Sequence, residues 1–239
     1  MLQSKIAGHY SQAYDTQLHG IVIRVLEMCS LVKKQLDDAL SAFIDGDREL
    51  AQRVVDTDRR VNTYEVDIDE HCIDILVRRQ PAASDLRLVL TILKIINDIE
   101  RIGDLAESIA RHVLQESGER PNSAQINDIE EMGTRTRIML RQALESFEKM
   151  DAADALDVLQ QDKAIDNDYA RILRHSLTYM LEDTRQIGRS MEIIWVARAL
   201  ERVGDHARNI CQYSIFLSKG YNVTHSSDDE MKNIISGND

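Results

Sequence analysis

Apolar residues recur at intervals of three and four along most of this chain, which is the spacing of amphipathic α-helices. The pattern divides the chain into six long segments, three in each half. The predicted helices cover residues 18–44, 48–79, 81–115, 124–149, 152–183 and 187–218. We therefore expect an all-α protein.

Short polar segments mark where these helices begin and end. Gly46 suits the C-terminal cap of the first helix, and Asp47 suits the N-cap of the second. Pro81 fits the first turn of the third helix, because a backbone N–H is not needed there. The segment 118–123, which contains Pro121, is the expected joint between the halves.

The two halves of the chain repeat one another. Residues 36–43 and 140–147 share the frame L-x-x-A-L-x-x-F at a spacing of 104 positions. Residues 97–110 and 198–211 share the phrase E-R-x-G-D at a spacing of 101. Self-similarity over this length indicates a duplicated half. We therefore expect two tandem three-helix bundles related by a pseudo-two-fold axis, the alternative being one six-helix bundle.

The domain boundaries follow from this repeat. The first three-helix repeat is expected over residues 1–117 and the second over residues 118–220. A chain of 239 residues is long enough for one large domain or for two small domains with cores of their own. Residues 221–239 are polar and end in an acidic, serine- and asparagine-rich stretch, so we expect a flexible tail.

Composition narrows the classes of function. The net charge of −12 argues against a nucleic-acid partner, because a phosphate backbone requires a basic surface. Three scattered cysteines, Cys29, Cys72 and Cys211, fit reduced thiols in a cytoplasmic protein better than a disulfide framework. The sequence shows no signal peptide and no apolar run of about twenty residues, so neither export nor a transmembrane helix is expected.

The repeated phrase carries a pair of carboxylates in each half, Glu100 with Asp104 and Glu201 with Asp205. Residues four apart on a helix lie about 6 Å apart at Cβ, where like charges repel. A sequence that keeps this repulsion at two matched positions indicates a shared use for the oxygens. Hard cations prefer oxygen ligands, so a bound metal ion is the simplest candidate.

The preceding helix of each half adds further acids. In the first half, Asp58 and Glu65 fall on one helix face. The second half keeps Asp162 and Asp166, but Tyr169 replaces the residue that matches Glu65, so the second site is expected to be poorer or differently shaped. If neighbouring helices pack side by side, four or five oxygen ligands converge. The plain alternative is a solvated acidic face with local ion pairs worth about 0.3–0.5 kcal/mol.

The chain lacks the common sequence motifs of enzymes. It contains no Walker loop, no G-x-G-x-x-G and no G-x-S-x-G nucleophile elbow. Its histidines do not form the Glu-x-x-His pattern of di-iron enzymes. We therefore expect no catalytic residues, with a metal-dependent all-α enzyme as the alternative. Oxygen ligands suit iron, magnesium, manganese or calcium, and zinc would require His206.

The repeated phrases resemble those of the PhoU family of bacterial phosphate-signalling regulators. Supporting phrases are residues 28–36 in the first helix and 78–87 before the third, and the resemblance extends from about His9 to Ser218. It implies tandem three-helix bundles, often dimeric, that bind metal clusters on an acidic surface and are not enzymes. By position, it implies these metal ligands: Glu100, Asp104, Glu201 and Asp205, supported by Asp58, Glu65 and Asp162.

The resemblance also implies partners and a role. Proteins of this family repress the phosphate-starvation regulon when phosphate is plentiful. They act between a PstB-type ATPase of the phosphate ABC transporter and a PhoR-type sensor histidine kinase. We therefore expect a cytoplasmic homodimer that reaches the membrane only through these partners. The expected cofactor is a metal cation, namely iron, magnesium, manganese or zinc.

Overall fold

The computed structural model describes residues 12–115, 120–224 and 226–236, and every regular element in those ranges is helical. In chain order, the elements are α1 (Gln12–Asp45), α2 (Arg48–Arg79), α3 (Ala83–Gln115), α4 (Ser123–Lys149), α5 (Ala152–Leu159), α6 (Asp162–Glu182), a 3-10 turn (Thr184–Gln186), α7 (Ile187–Lys219) and α8 (Asp228–Ser236). The all-α prediction is confirmed. The expected start of the resemblance and part of the expected joint lie outside the described residues.

The junction between α1 and α2 forms as its polar residues predict. Gly46 takes a left-handed backbone conformation with φ of 70°, and the Asp47 carboxylate accepts a hydrogen bond from the backbone N–H of Leu50 at 2.9 Å. The last carbonyls of α1 have no partner within the helix. Arg120 satisfies several of them, including the carbonyl of Asp45 at 3.1 Å, and so fixes the joint between the halves against the end of α1.

Three predicted helix boundaries are wrong. The described part of the first helix already includes Gln12, six residues before the predicted start. The third helix begins at Ala83 rather than Pro81, because Gln80 adopts a left-handed conformation with φ of 48° and ends α2. The fifth predicted helix is divided into α5 and α6. At the break, the backbone N–H of Gln161 donates to the carbonyl of Val158, three residues back instead of four, so the chain turns more tightly there.

Within the expected tail, residues 228–236 form α8, which packs on α5 and α7. Met231 in α8 and Val223 just before it are buried. The Lys219 ammonium also donates to the carbonyl of Ile235 at 2.8 Å. Burial of these few apolar side chains offsets the entropy of ordering a mostly polar segment.

Each half folds as a three-helix bundle, and the two bundles pack against each other. In the first half α1, α2 and α3 contact one another, and in the second half α4, α7 and the α5–α6 pair do so. Across the halves, α3 packs on α7 and α1 packs on α4. The predicted tandem bundles are confirmed. The four helices that meet across the halves form a ring in the order α1, α3, α7, α4.

The α3 and α7 helices run antiparallel. The Lys94 ammonium lies 5.5 Å from the centroid of the Tyr213 ring, and the rings of His112 and Trp195 lie 5.7 Å apart. In the sequence repeat Lys94 corresponds to Trp195 and His112 to Tyr213. The two contacts are therefore the same contact seen from the two halves, which is what a pseudo-two-fold axis between them requires.

One hydrophobic core extends through both halves. The predicted core stripe of the third helix is buried throughout: Leu88, Ile92, Ile95, Ile99, Ile102, Ala106 and Val113. The three cysteines are buried as well, in agreement with their apolar surroundings. No helix in the described ranges has both the length and the apolar character needed to cross a bilayer.

Candidate functional site

Asp58, Glu65, Glu100 and Asp104 form the first acidic cluster, between α2 and α3. Burial raises the pKa of Glu100, and the carboxylates of Asp104, Glu65 and Asp58 raise it further. The pKa of Glu65 is also raised, by burial first and then by neighbouring acids that include Asp104. Four carboxyl groups from two helices therefore lie close enough to repel one another. The structure brings together all four first-half residues that the sequence singled out.

Asp58 is the most deeply placed member of the first acidic cluster. Its carboxylate accepts hydrogen bonds from Gln35 of α1 at 3.1 Å and from Asn62 at 3.3 Å. Burial raises the pKa of Asp58, the two amides lower it, and the carboxylates of Glu107 and Asp104 raise it. The position of Asp58 is therefore fixed from the α1 side of the cluster.

Arg101 supplies a positive charge beside the first acidic cluster. Its guanidinium lies 2.9 Å from the carboxylate of Asp104 and 3.5 Å from that of Glu100. Because the Arg101 side chain is 60% exposed, each ion pair contributes only about 0–1 kcal/mol. The local ion pairs expected for a solvated acidic face therefore exist. They do not cancel the repulsion, since the pKa of Glu100 stays raised by burial and by Asp104.

Asp162, Asp166, Glu201 and Asp205 form the second acidic cluster, between α6 and α7. Burial raises the pKa of Glu201, and the carboxylates of Asp205, Asp166 and Asp162 raise it further. The pKa of Asp162 is raised by burial and by Asp166 and Asp205. Both halves therefore carry a cluster of four mutually repelling acids.

Asp166 is the site residue that sequence reasoning did not count as a ligand. It stands at the position that matches Asn62, whereas Tyr169 stands at the position that matches Glu65. The second half thus loses one acid and gains another, so its cluster is differently arranged but not poorer in carboxylates. The signal was present, because Asp162 and Asp166 lie four apart like the acids of the repeated motif.

Gly103 and Gly204 allow the neighbouring helix to approach the motif acids. A Cβ atom on Gly103 would lie 3.2 Å from the side chain of Val61 and 3.5 Å from the carboxylate of Asp58. A Cβ atom on Gly204 would lie 3.3 Å from the side chain of Ile165. The space beside each glycine is therefore filled by the adjacent helix, which brings that helix's acids up to the motif.

The donor atoms of both clusters fit a hard cation, because every candidate ligand is a carboxylate oxygen. One of these oxygens, Oε2 of Glu201, is buried and has no hydrogen-bond partner within the described residues. In those same ranges, no three Asp, Glu, His or Cys side chains stand in the arrangement of a ready-made metal site. Metal ligation therefore stays a prediction, and a cation would have to draw the carboxylates closer together.

A polar contact joins the two halves next to the second acidic cluster. Nδ1 of His206 lies 2.7 Å from Oδ1 of Asp98, and the same oxygen accepts a hydrogen bond from Asn209 at 3.0 Å. This contact of His206, which the sequence suggested as a zinc ligand, was not predicted. Nothing in the sequence indicated it, because Asp98 and His206 meet only once α3 packs antiparallel on α7.

A family model of the PhoU domain matches residues 25–113 and 129–214, which include both acidic clusters. The chain belongs to the PhoU family. A phosphate-specific transport system accessory protein PhoU homolog of Pseudomonas aeruginosa is 43% identical over 238 residues, covering 99% of this chain and 98% of that protein. The phosphate-specific transport system accessory protein PhoU of Escherichia coli K12 is 38% identical over 231 residues, covering 97% and 95%.

Solved PhoU structures share this fold. The crystal structure of PhoU from Pseudomonas aeruginosa superposes with a TM-score of 0.83 at 45% identity, covering 87% of this chain and 100% of that one. The phosphate transport system regulatory protein PhoU from Streptococcus pneumoniae superposes with a TM-score of 0.80 at 28% identity, covering 88% and 99%. The resemblance seen in the repeated phrases is confirmed.

Proposed function

We propose that this PhoU-family chain is a non-enzymatic cytoplasmic adaptor that restrains phosphate uptake and represses phosphate-starvation genes when phosphate is plentiful. It couples a PstB-type ATPase of the phosphate ABC transporter to a PhoR-type sensor histidine kinase. The names of its relatives, which are accessory or regulatory proteins of phosphate transport, support this role. An adaptor needs a separate contact surface for each partner, and a duplicated fold offers two.

The observation that carries the proposal is a pair of matched apolar patches on the surface. The first patch consists of Ile73, Val77, Leu86 and Leu90, and the second of Leu177, Leu181, Ile187 and Met191. Each residue of the first patch corresponds to one of the second in the sequence repeat. Single exposed apolar residues are ordinary, but grouped ones indicate interaction sites. Their duplication supports two equivalent docking surfaces.

The two patches lie at opposite ends of the molecule. The first flanks the turn between α2 and α3, and the second flanks the turn between α6 and α7. Because α3 and α7 are antiparallel, the start of α3 lies beside the end of α7, where Arg87 approaches Gly220. A helix of 33 residues is about 50 Å long. This separation leaves room for two partners at once.

We further propose that a metal cation binds at each acidic cluster. In the first half it would be held by Glu100 and Asp104 with support from Asp58 and Glu65, and in the second by the matching acids Asp162, Glu201 and Asp205, with Asp166. Iron, magnesium, manganese and zinc remain the candidates. The positive charge would offset the burial and the mutual repulsion of the carboxylates, which together raise their pKa values. It would thereby tie α2 to α3 and α6 to α7, the helix pairs that carry the patches.

Regulation of this kind requires the adaptor to bind the two states of the kinase with different affinities. Contact alone then shifts the kinase toward its inactive or phosphatase-competent state, and the adaptor itself needs no catalytic group. We propose that the chain acts as a homodimer, whose mass in solution is measured by light scattering.

A complementation experiment tests the proposal. A deletion strain is expected to express alkaline phosphatase in rich phosphate, and the intact chain is expected to restore repression. Val77→Ser and Leu181→Ser alter side chains that are 71% and 89% exposed, so folding is preserved. Each is expected to weaken repression and to reduce the amount of one partner recovered from membranes. Ile23→Ser, at an exposed position outside both patches, is the matched control.

Two results would count against the proposal. Unchanged alkaline phosphatase output in the deletion strain would reject the regulatory role. Full repression by a chain carrying both patch substitutions would reject the patches as docking surfaces while leaving the regulatory role intact.

A further inference from the structure

A groove between α1 and α4 carries the opposite charge from most of the surface. Its volume is about 530 Å³, and its lining is Lys33, Leu36, Asp37, Thr134, Arg137, Ile138, Leu140 and Arg141. Three cations and one carboxylate therefore face the groove, on a chain whose net charge is −12. In the four-helix ring this groove lies across from the α3–α7 junction. It shares no residue with either acidic cluster or either apolar patch.

Two of the three cations are available to a ligand. Within the described part of the chain, Lys33 and Arg141 form no ion pair and no side-chain hydrogen bond. Arg137 donates to the hydroxyl of Thr134 at 3.2 Å and lies 3.7 Å from the carboxylate of Asp37, which is 56% exposed. The carboxylate of Asp37 is therefore largely hydrated and neutralises only part of the charge, so the groove keeps an excess of positive charge.

The groove straddles the pseudo-two-fold axis. Lys33 of α1 corresponds to Arg137 of α4 in the sequence repeat, so each half contributes one matched cation. At the next pair of matched positions the repeat is broken, because α1 has Asp37 and α4 has Arg141. The duplication therefore explains two of the cations. The third, Arg141, stands at an unmatched position of the second half, where it forms no ion pair and no side-chain hydrogen bond with the described residues.

We propose that this groove binds the phosphoryl groups of an organic phosphate of nucleotide size. Guanidinium groups bind phosphate oxygens in pairs, and a lysine ammonium adds a mobile point charge. The volume falls within the range of about 300–1,000 Å³ that small-molecule sites occupy. Buried Leu36 and Leu140 form an apolar floor, and Ile138 is 39% exposed, so the non-phosphate part of the ligand also has a surface to contact.

The size of the charged region favours a small ligand over a peptide. The lining residues of α4 span positions 134–141, which is about 12 Å of helix. The phosphates of a nucleoside di- or triphosphate fit within that length, whereas an acidic peptide would extend onto surface without matching cations. Inorganic phosphate shares the charge chemistry but leaves most of the groove unfilled, so it should bind more weakly than a nucleotide.

Calorimetric titration of the full chain with ATP tests this inference independently of the regulatory proposal. The groove variant is Lys33→Ala/Arg141→Ala. The matched control is Arg53→Ala/Arg59→Ala, which removes two exposed arginines of α2 that also lack ion pairs in the described residues. Both variants lose the same charge, so general electrostatic attraction falls equally in both. Saturable binding should weaken by roughly tenfold or more in the groove variant and by less than about twofold in the control.

Further arms of the titration separate the possible sources of the phosphoryl group. Inorganic phosphate is expected to compete with ATP only at much higher concentration. The inference is overturned if ATP shows no saturable binding, or if both variants weaken it equally. It is also overturned if the groove substitutions affect only binding to vesicles of anionic phospholipid, or only binding to an acidic peptide.

Discussion

Arg24 of α1 forms an ion pair with Asp67 of α2, and the matching pair in the second half has its charges exchanged. There, Asp128 of α4 pairs with Arg171 of α6. At a spacing of 104, Arg24 corresponds to Asp128 and Asp67 to Arg171. After duplication both partners changed sign while the contact remained. The fold at this place therefore requires opposite charges across the two helices and not a particular residue on either.

Charge exchange at the first of these pairs should be tolerated. Asp67→Arg alone places two guanidinium groups together and should destabilise the chain by about 0.5–1 kcal/mol, since the Arg24 and Asp67 side chains are 43% and 33% exposed. Arg24→Asp/Asp67→Arg recreates the second-half arrangement and should recover most of that loss. Urea unfolding of both single variants and the double variant measures the coupling. Additive losses in the double variant would show that the contact contributes nothing.

The Asp98–His206 contact should contribute more, because it lies between the halves. Asp98→Ala removes the acceptor from both His206 and Asn209, which are half-buried, so stability should fall by about 1 kcal/mol. Ser108→Ala is the control, since Ser108 is the exposed counterpart of Asn209 in the repeat and should change stability by less than about 0.5 kcal/mol. Equal unfolding midpoints for the two variants would show that the Asp98–His206 contact does not stabilise the fold.

Stability of the metal-free chain should fall as pH rises through the raised pKa values of the clusters. Burial and Asp104 raise the pKa of Glu100, so folding favours its protonated form. That contribution is complete below the pKa of the unfolded chain and is lost as pH rises through the pKa of the folded one. Glu100→Gln should therefore unfold at higher urea concentration than the parent at about pH 7, with a smaller difference near pH 4.

The control for this pH effect is Glu70→Gln, at an exposed position of α2 outside the clusters. It should show the same pH dependence as the parent chain. A parent that gains stability steadily from about pH 4 to pH 7, with Glu100→Gln less stable than the parent at the upper end, would mean that the acids stabilise the metal-free fold.

Most of the fold was predictable because local and global preferences agree. The buried apolar residues of α3 recur at helical spacing, and the repeated phrases predict a matching helix in the second half. The errors arose where a few contacts override the pattern. The break before α6 depends on one backbone hydrogen bond at Gln161, and α8 is held by the burial of Met231 in a segment that is otherwise polar.

The acidic clusters were largely predictable for the same reason, since helix geometry fixes which acids share a face. Glu100 and Asp58 come together because Gly103 allows close packing of α2 on α3. The exchanged ion pairs and the Asp98–His206 contact were not predictable. Both depend on which helices become neighbours and on whether those helices run parallel or antiparallel. The apolar periodicity of a single helix contains no information on either point.

Metal binding at each of the two acidic clusters should be measurable separately. Chelator-washed protein reloaded with manganese, iron, magnesium or zinc is expected to gain stability, by about 2.7 kcal/mol for each occupied site when the free ion is at one hundred times its dissociation constant. Glu100→Gln/Asp104→Asn should abolish retention in the first half only, and Glu201→Gln/Asp205→Asn in the second only. Elemental analysis of each variant should then find half the parent's metal content.

The substitutions keep side-chain size while removing charge, so the variants also separate metal loss from unfolding. They should be at least as stable as the parent without metal, because they remove charges whose burial and mutual repulsion raise the pKa values of Glu100 and Glu201. In the presence of metal the order should reverse, since only the parent gains binding energy in both halves. Full metal content in both variants would show that other groups hold the ion.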